Sequence, residues 1–300
     1  MFPDPGWVFG DAGSGWGSCE TSVSGHYADA EGAKSRRAGA SAGSEVHFRH
    51  GGPLKPWELL AEARTPDGTL LSLTRRDTEL VIMAGGKILM SSRMHGSEEA
   101  MAEMACKRLG LRPVHRSALR EGGSLGEGGL PSLDGVCVLV GGLGLGYTLR
   151  ATLDLLPADA TVVVSELIPA IVEWHSGPLA VLADKPIADR RVQVEVKDVI
   201  ATLRSSPRRF DAILLDIDNG PEAFTESSNA GLYNDRGIAT IRAALKPGGV
   251  LAVWSAWEDR RFEQRLKYAG FKVEVERVRA RLKKGGPRHT IFLGRAPQGW

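Results

Sequence analysis

The sequence is poor in cysteine and contains no long hydrophobic run. Its three cysteines, Cys19, Cys106 and Cys137, lie far apart, with no Cys-x-x-Cys pair and no histidine cluster. This spacing indicates neither a disulfide framework nor a zinc site, so we expect no bound metal. No stretch of 18 apolar residues occurs, and the N-terminus lacks the apolar core of a signal peptide. We therefore expect a cytoplasmic protein without a transmembrane helix.

The sequence also lacks a strong charge of either sign. The 38 Lys and Arg residues against 36 Asp and Glu residues leave a net charge of +2, which favours neither nucleic acid nor a membrane as the main partner. One basic stretch near the C-terminus is more typical of a solvated edge than of a nucleic-acid site: Arg277, Arg279, Arg281, Lys283, Lys284 and Arg288. The chain of 300 residues is long enough for one large or two modest domains.

Apolar periodicity is missing from residues 1–52, which are rich in Gly, Ser and Ala. We expect a disordered tail there, because this composition buries too little surface to offset chain entropy. A small β-hairpin domain plus a helix is predicted over 53–120, with a Gly-Gly turn at 85–86 in the hairpin and Ser97 as the N-cap of the helix. A Gly-rich linker at 121–133 then leads to a second domain at 134–296.

Apolar strands alternate with helices in this second domain, a pattern typical of an α/β protein with a doubly wound, mostly parallel sheet. Strands are predicted at 136–140, 161–165, 192–196, 212–215, 250–254, 271–278 and 290–293, and one of the helices at 168–182. Because no helix separates the last two strands, the final strand is expected to be antiparallel. This ending fits a Rossmann-like, methyltransferase-type sheet better than a nicotinamide-binding one.

A glycine-rich turn follows the first strand of this sheet. A dinucleotide fingerprint, G-x-G-x-x-G, would need a glycine at Tyr147. The chain instead has Gly142-x-Gly144-x-Gly146, the spacing of folds that bind S-adenosylmethionine and its relatives. The alternative interpretation is a tight turn that packs a helix on a strand.

Three carboxylates, Glu166, Asp198 and Asp216, stand at the ends of three strands, where ligands of such sheets bind. Glu166 lies 20 positions after Gly146, the distance at which an acid binds a ribose diol. Asp198 is a candidate acceptor for an adenine amino group, and Asp216 a candidate catalytic acid. The alternatives are a helix-dipole partner for Glu166, an N-cap for Asp198 and a loop cap for Asp216.

Several stretches resemble the spermidine/spermine synthase family, the aminopropyltransferases. They are Val140–Gly146, Ser165-Glu166-Leu167-Ile168-Pro169-Ala170, Lys197-Asp198, Phe210–Asp216, Leu232-Tyr233 and Ala244-Leu245-Lys246-Pro247-Gly248-Gly249. A small β domain in front of the main domain also belongs to this family's plan. The resemblance implies transfer of an aminopropyl group to a polyamine, with decarboxylated S-adenosylmethionine as co-substrate, and a possible homodimer.

The same resemblance implies roles for individual residues. Gly142, Gly144 and Gly146 would bind the nucleoside together with Glu166 on the ribose and Asp198 near the adenine. Asp216 would accept a proton from the attacking amine, with Asp218 beside it. The implied acceptor-binding residues are Glu99, Asn219 and Tyr233.

The chain departs from the family pattern in the half of the site that would hold the acceptor. Leu143 and Leu145 occupy the loop positions where the family has an acid, and Trp254 or Ser255 stands where a glutamine is expected. Methyl transfer from S-adenosylmethionine uses the same kind of pocket, so it stays open as an alternative. A non-catalytic nucleoside-binding homologue is the third possibility.

Overall fold

The computed structural model describes residues 55–111, 135–217, 230–281 and 286–299. The predicted tail at 1–52, the linker at 121–133, and Asp218 and Asn219 therefore lie outside the described residues. No helix in the described part of the chain is long and apolar enough to cross a membrane.

The first sheet has four antiparallel strands in the order β1-β2-β3-β4. They are β1 (Glu58–Arg64), β2 (Leu70–Arg76), β3 (Glu79–Ala84) and β4 (Lys87–Ser91). The hairpin at Gly85 and Gly86 is confirmed, since β3 pairs with β4 across these residues. Strand β1 has no counterpart in the sequence prediction, because its sequence ELLAEAR consists of helix-forming residues. Its pairing with β2 overrides that local preference.

The second sheet has seven strands in the order β10-β11-β9-β8-β5-β6-β7. They are β5 (Cys137–Gly141), β6 (Thr161–Glu166), β7 (Val192–Val196), β8 (Phe210–Leu215), β9 (Leu245–Ser255), β10 (Lys272–Arg279) and β11 (Arg288–Arg295). Strands β5 to β9 pair in parallel, whereas β11 lies between β9 and β10 and is antiparallel to both. The predicted mostly parallel Rossmann-like sheet with an antiparallel last strand is confirmed.

Helices cover both faces of this sheet. They are α1 (Gly96–Arg108), α2 (Tyr147–Leu155), α3 (Pro169–His175), α4 (Val199–Arg204), α5 (Ala230–Tyr233), α6 (Asp235–Ala244) and α7 (Arg260–Tyr268). Alternate residues of β5 point to opposite faces: Val138 and Val140 pack in the core cluster of α1, α2 and α3, and Leu139 in that of α4, α6 and α7. The sheet is thus buried on both sides, as its apolar strands require.

Two helix predictions were wrong in detail. Helix α1 begins at Gly96 after His95, and Ser97 is not its N-cap, because no side-chain cap hydrogen bond forms there. Helix α3 ends at His175 instead of at Leu182. Gly177 and Pro178, shortly after His175, interrupt the helical sequence.

The small sheet shares its core with the larger one. Leu71, Leu73 and Ile82 of β2 and β3 belong to the same buried cluster as Met101 of α1 and Val138 of β5. Helix α1 also packs against α2 and β9. The first turn of α1 is thereby held beside the carboxyl edge of the parallel strands, where the predicted site residues lie.

Candidate active site at the carboxyl edge of the sheet

The glycine loop after β5 is closely packed on its neighbours. Gly142 has φ +86°, and a Cβ there would lie 2.3 Å from the carbonyl oxygen of Asp216. Gly146 has φ +85°, and a Cβ there would lie 2.8 Å from Cε1 of His175. Both positions therefore need glycine for backbone conformation and for space. The loop and the end of β8 are in direct contact, so any ligand on this loop would lie beside Asp216.

Glu166 at the end of β6 holds the glycine loop. It is 7% exposed, and its two carboxylate oxygens accept hydrogen bonds from Leu143 N at 2.8 Å and Ile168 N at 2.9 Å. Burial raises the pKa of Glu166, and these backbone N–H groups oppose that rise. The backbone N–H groups of Gly144 and Leu167 also lower its pKa, so four backbone donors surround this carboxylate and hold the loop on it.

Asp198 caps helix α4. Its Oδ1 accepts a hydrogen bond from Ile200 N at 2.7 Å, which confirms the capping interpretation. The next residue, Val199, would contact a Cβ at Gly141 at 3.0 Å, so Asp198 follows a strand that ends near the loop. Leu167, the residue after Glu166, is 42% exposed and offers an apolar surface. A role for Asp198 near an adenine stays a prediction.

Asp216 directly follows β8 and is tied to the sheet through its backbone, since its N–H donates to the carbonyl oxygen of Gly141 at 2.9 Å. Its side chain accepts a hydrogen bond from the Thr148 hydroxyl at 2.6 Å. Burial raises the pKa of Asp216 to about 6, and the Thr148 hydroxyl works against this rise. Asp216 is thus held beside the glycine loop as a carboxyl group that titrates near neutrality, as a general base requires.

A second carboxyl group, Glu98 in the first turn of α1, lies near enough to Asp216 for their negative charges to interact. Burial and then the negative charge of Asp216 raise the pKa of Glu98 to about 8. Two carboxyl groups that repel each other in a desolvated site hold one proton between them near neutral pH. The sequence interpretation named Glu99 for acceptor binding, and the structure adds its neighbour Glu98 as the carboxyl group whose charge interacts with that of Asp216.

Ser97 links Glu98 to two aromatic side chains. Its hydroxyl donates to Glu98 Oε2 at 2.7 Å and lies 2.9 Å from Nδ1 of His289, while the indole N–H of Trp254 donates to it at 3.0 Å. The rings of Trp254 and His289 meet edge to face with centroids 4.5 Å apart. Trp254 lies near the end of β9, where the family resemblance led us to expect a glutamine, and His289 lies at the start of β11. Together these two rings form an aromatic wall beside Ser97.

Glu99 belongs to a neighbouring cluster. It pairs with His95 Nδ1 at 2.8 Å, and the His95 ring stacks on Tyr147 with centroids 4.0 Å apart. Burial, followed by the charges of Glu99 and Glu98, raises the pKa of Tyr147 to about 12. Glu99 is therefore close to the site, and its contact with an acceptor stays a prediction.

Tyr233 is buried in the core of the other face, where its ring meets Phe262 edge-on. Its predicted contact with an acceptor stays a prediction. The residues that sequence reasoning missed in this region are Ser97, Glu98, Thr148, Trp254 and His289. The sequence signal available for Ser97 and Glu98 is their position as polar residues at the start of a predicted helix.

Two features define a methyltransferase-type Rossmann-like fold. An antiparallel strand is inserted in the sheet before the edge strand, and a glycine loop follows the first parallel strand. The sequence model of one family, described as S-adenosyl-L-methionine-dependent methyltransferase, matches residues 151–286, which is less than half of the chain.

Solved structures with the same fold include two spermidine synthases. That of Thermotoga maritima is 15% identical, with a TM-score of 0.58, over 80% of this chain and 73% of its own. A spermidine synthase in complex with the transition-state analogue AdoDATO is 14% identical, with a TM-score of 0.57, over 80% of this chain and 72% of its own. No curated protein matches the sequence. At these identities the structural likeness shows the fold alone.

Proposed function

We propose that this protein is a spermidine-synthase-like transferase that uses a sulfonium nucleoside to alkylate an amine, by aminopropyl transfer from decarboxylated S-adenosylmethionine to a polyamine. The observation that carries the proposal is the carboxyl pair of Glu98 and Asp216 beside the glycine loop. A partly buried acidic pair suits a cationic amine, because the ammonium group neutralises the second negative charge.

The residues present fit a nucleoside of this kind. The glycine loop packs directly on the backbone of Asp216, since a Cβ at Gly142 would lie 2.3 Å from the Asp216 carbonyl oxygen, so a nucleoside bound along this loop would lie beside Asp216. Glu166 would accept hydrogen bonds from ribose hydroxyls alongside its backbone donors, and the exposed Leu167 would cover one face of a base. When bound, such a nucleoside supplies an activated carbon attached to a positive sulfur.

The chain's own residues would then prepare the amine. An ammonium ion has no lone pair for attack, so it must first lose a proton to Asp216 or Glu98. Thr148 fixes the carboxylate of Asp216 at 2.6 Å and keeps its pKa from rising further. The aromatic wall of Trp254 and His289 would exclude water from the reacting centre, which favours alkyl transfer to the amine over hydrolysis.

Methyl transfer is the second candidate. It is favoured by the family model that matches residues 151–286 and by Leu143 and Leu145, which leave the loop without its expected acid. A carboxyl pair would serve equally to deprotonate an amine that receives a methyl group. A binding protein without activity has no evident need for two adjacent carboxyl groups whose repulsion is costly.

Calorimetric titration with S-adenosylmethionine, its decarboxylated form and methylthioadenosine tests the proposal. Tighter binding of the decarboxylated form, followed by transfer to a di- or polyamine, is the expected result. Preference for S-adenosylmethionine would instead indicate a methyltransferase. Binding of none of the three would contradict a nucleoside site. Asp235→Asn, which changes an exposed aspartate on α6, is the matched control for variants of Asp216.

A further inference from the structure

One buried hydroxyl joins the carboxyl pair to an imidazole. Ser97 is fully buried, and its oxygen is within hydrogen-bond distance of Glu98 Oε2, His289 Nδ1 and Trp254 Nε1, at 2.7, 2.9 and 3.0 Å. A serine hydroxyl has one proton to donate and two lone pairs to accept with. Three polar groups therefore share one hydroxyl. Whether each of them donates or accepts a hydrogen bond determines where the hydroxyl proton points.

The indole N–H of Trp254 is a donor only, so it permanently occupies one lone pair of Ser97. One proton and one lone pair remain for Glu98 and His289. In the first arrangement a protonated Glu98 donates to Ser97, and Ser97 donates to the bare Nδ1 of His289. In the second, Ser97 donates to an ionised Glu98 and accepts from Nδ1–H of His289. Both arrangements satisfy every group, and they differ only in where the protons lie.

We propose that Ser97 and His289 form a proton relay that carries a proton from Glu98 towards solvent. The relay rests on the proposed function, because alkylation of an ammonium substrate releases one proton in each turnover. Glu98 and Asp216 are both partly shielded from solvent, and the pair must lose that proton before it can deprotonate the next acceptor.

The transfer balances without any further reactant. Asp216 receives the proton from the amine, and Glu98, which already holds the pair's proton, passes that proton to the Ser97 oxygen as Ser97 passes its own proton to Nδ1 of His289. Ser97 is neutral before and after. His289 becomes an imidazolium ion and releases its Nε2 proton to water. When the ring then turns away from Ser97, Nδ1 loses its proton to water and Nε2 takes one up, which restores the starting tautomer with no net change in protons. The net result is one proton moved from Glu98 to solvent.

The surroundings of His289 suit this role. The residue is half-buried, and its chain neighbours Pro287 and Arg288 are exposed, so the ring lies between the interior and solvent. Burial lowers the pKa of His289, so the ring is neutral at rest and gives up a proton to water readily once it has taken one. Trp254 holds the Ser97 oxygen in place from β9 and packs its ring against His289.

Nitrogen-15 NMR of the histidine ring tests the relay without any substrate. In the wild type the neutral ring should carry its proton on Nε2 while Glu98 is protonated and on Nδ1 once Glu98 is ionised. This tautomer change should disappear in Ser97→Ala and in Glu98→Gln, and persist in Glu103→Gln, which alters an exposed residue on the same helix. The same His289 titration in the wild type and in Ser97→Ala would overturn the relay.

Turnover gives the second readout. His289→Gln keeps a hydrogen-bonding partner for Ser97 but cannot take up and release a proton. We expect kcat to fall about 10-fold or more, with an unchanged KM for the amine and with activity restored by imidazole in the buffer. An unchanged kcat, or a lower kcat that imidazole does not restore, would overturn the relay. Absence of transfer by the wild type would instead contradict the proposed function, and the tautomer change would then decide on the relay alone.

Discussion

The hydroxyl of Thr148 lies 2.6 Å from a carboxylate oxygen of Asp216 and donates a hydrogen bond to it. This contact joins the first turn of the helix after the glycine loop to the end of β8. Within the described residues, this hydrogen bond lowers the pKa of Asp216 against the effect of burial. The position of the loop and the basicity of the candidate catalytic acid are therefore linked through a single side chain.

Thr148→Val removes this donor and keeps the shape of the side chain. A hydrogen bond to a carboxylate favours the ionised form, so its loss should raise the pKa of Asp216 further, by about one unit. The rising limb of the pH–rate profile, which requires ionised Asp216, should move to higher pH by the same amount. Thr148→Ser, which retains the hydroxyl, is the control and should leave the limb in place. If the rising limb lies at the same pH in Thr148→Val as in the wild type, the ionisation of Asp216 does not control the rate.

Asp216→Asn should leave nucleoside binding nearly intact and lower turnover by about 100-fold or more, because an amide cannot take a proton from the acceptor. Calorimetry gives the first quantity and steady-state kinetics the second. Asp235→Asn should change neither. Equal turnover in Asp216→Asn and the wild type would show that another group is the base.

Glu166→Gln should weaken both the loop and the nucleoside site. An amide has one acceptor oxygen, so one of the backbone N–H groups of Leu143 and Ile168 would lose its partner, at a cost of about 1–2 kcal/mol in the free energy of unfolding. A ribose diol would also lose a charged acceptor, and we expect the dissociation constant for methylthioadenosine to rise about 10-fold. Denaturant unfolding and calorimetry measure the two effects separately. Lower stability with an unchanged dissociation constant would give Glu166 a structural role alone.

The sheet and the ends of its strands could be predicted from the sequence because local patterns specify them. The buried run Val162–Val164 is strongly strand-forming, and the spacing of Gly142 and Gly146 marks the turn that follows β5. The carboxylates that end the strands follow from the same patterns, since their position depends only on where each strand stops.

The acceptor half of the site could not be predicted in this way, because distant parts of the chain form it. Trp254 and His289 reach Ser97 from 157 and 192 positions away. Glu98 meets Asp216 only because α1 packs against α2 and β9, a tertiary arrangement that no local pattern encodes. Strand β1 shows the same limit, since its helix-forming sequence becomes a strand through pairing with β2.

The carboxyl pair should also control stability as a function of pH. The pKa of Glu98 is raised from 4.5 to about 8, so the folded state favours its protonated form more than the unfolded state does. The contribution of Glu98 to stability is fully present below about pH 4.5 and is lost as the pH rises towards 8. Above pH 8 the folded protein must hold a buried charge next to Asp216.

Glu98→Gln removes this titration and keeps the size of the side chain. Relative to the wild type, the variant should gain stability between pH 5 and pH 9, by about 1 kcal/mol or more, because it carries no charge to bury. Urea unfolding at a series of pH values measures the difference in the free energy of unfolding between variant and wild type. A constant effect of the substitution shifts this difference equally at every pH, so the change of the difference with pH reports the titration of Glu98. Glu103→Gln should show no such change. A pH-independent difference between Glu98→Gln and the wild type would mean that Glu98 titrates normally and that the two carboxyl groups do not share a proton.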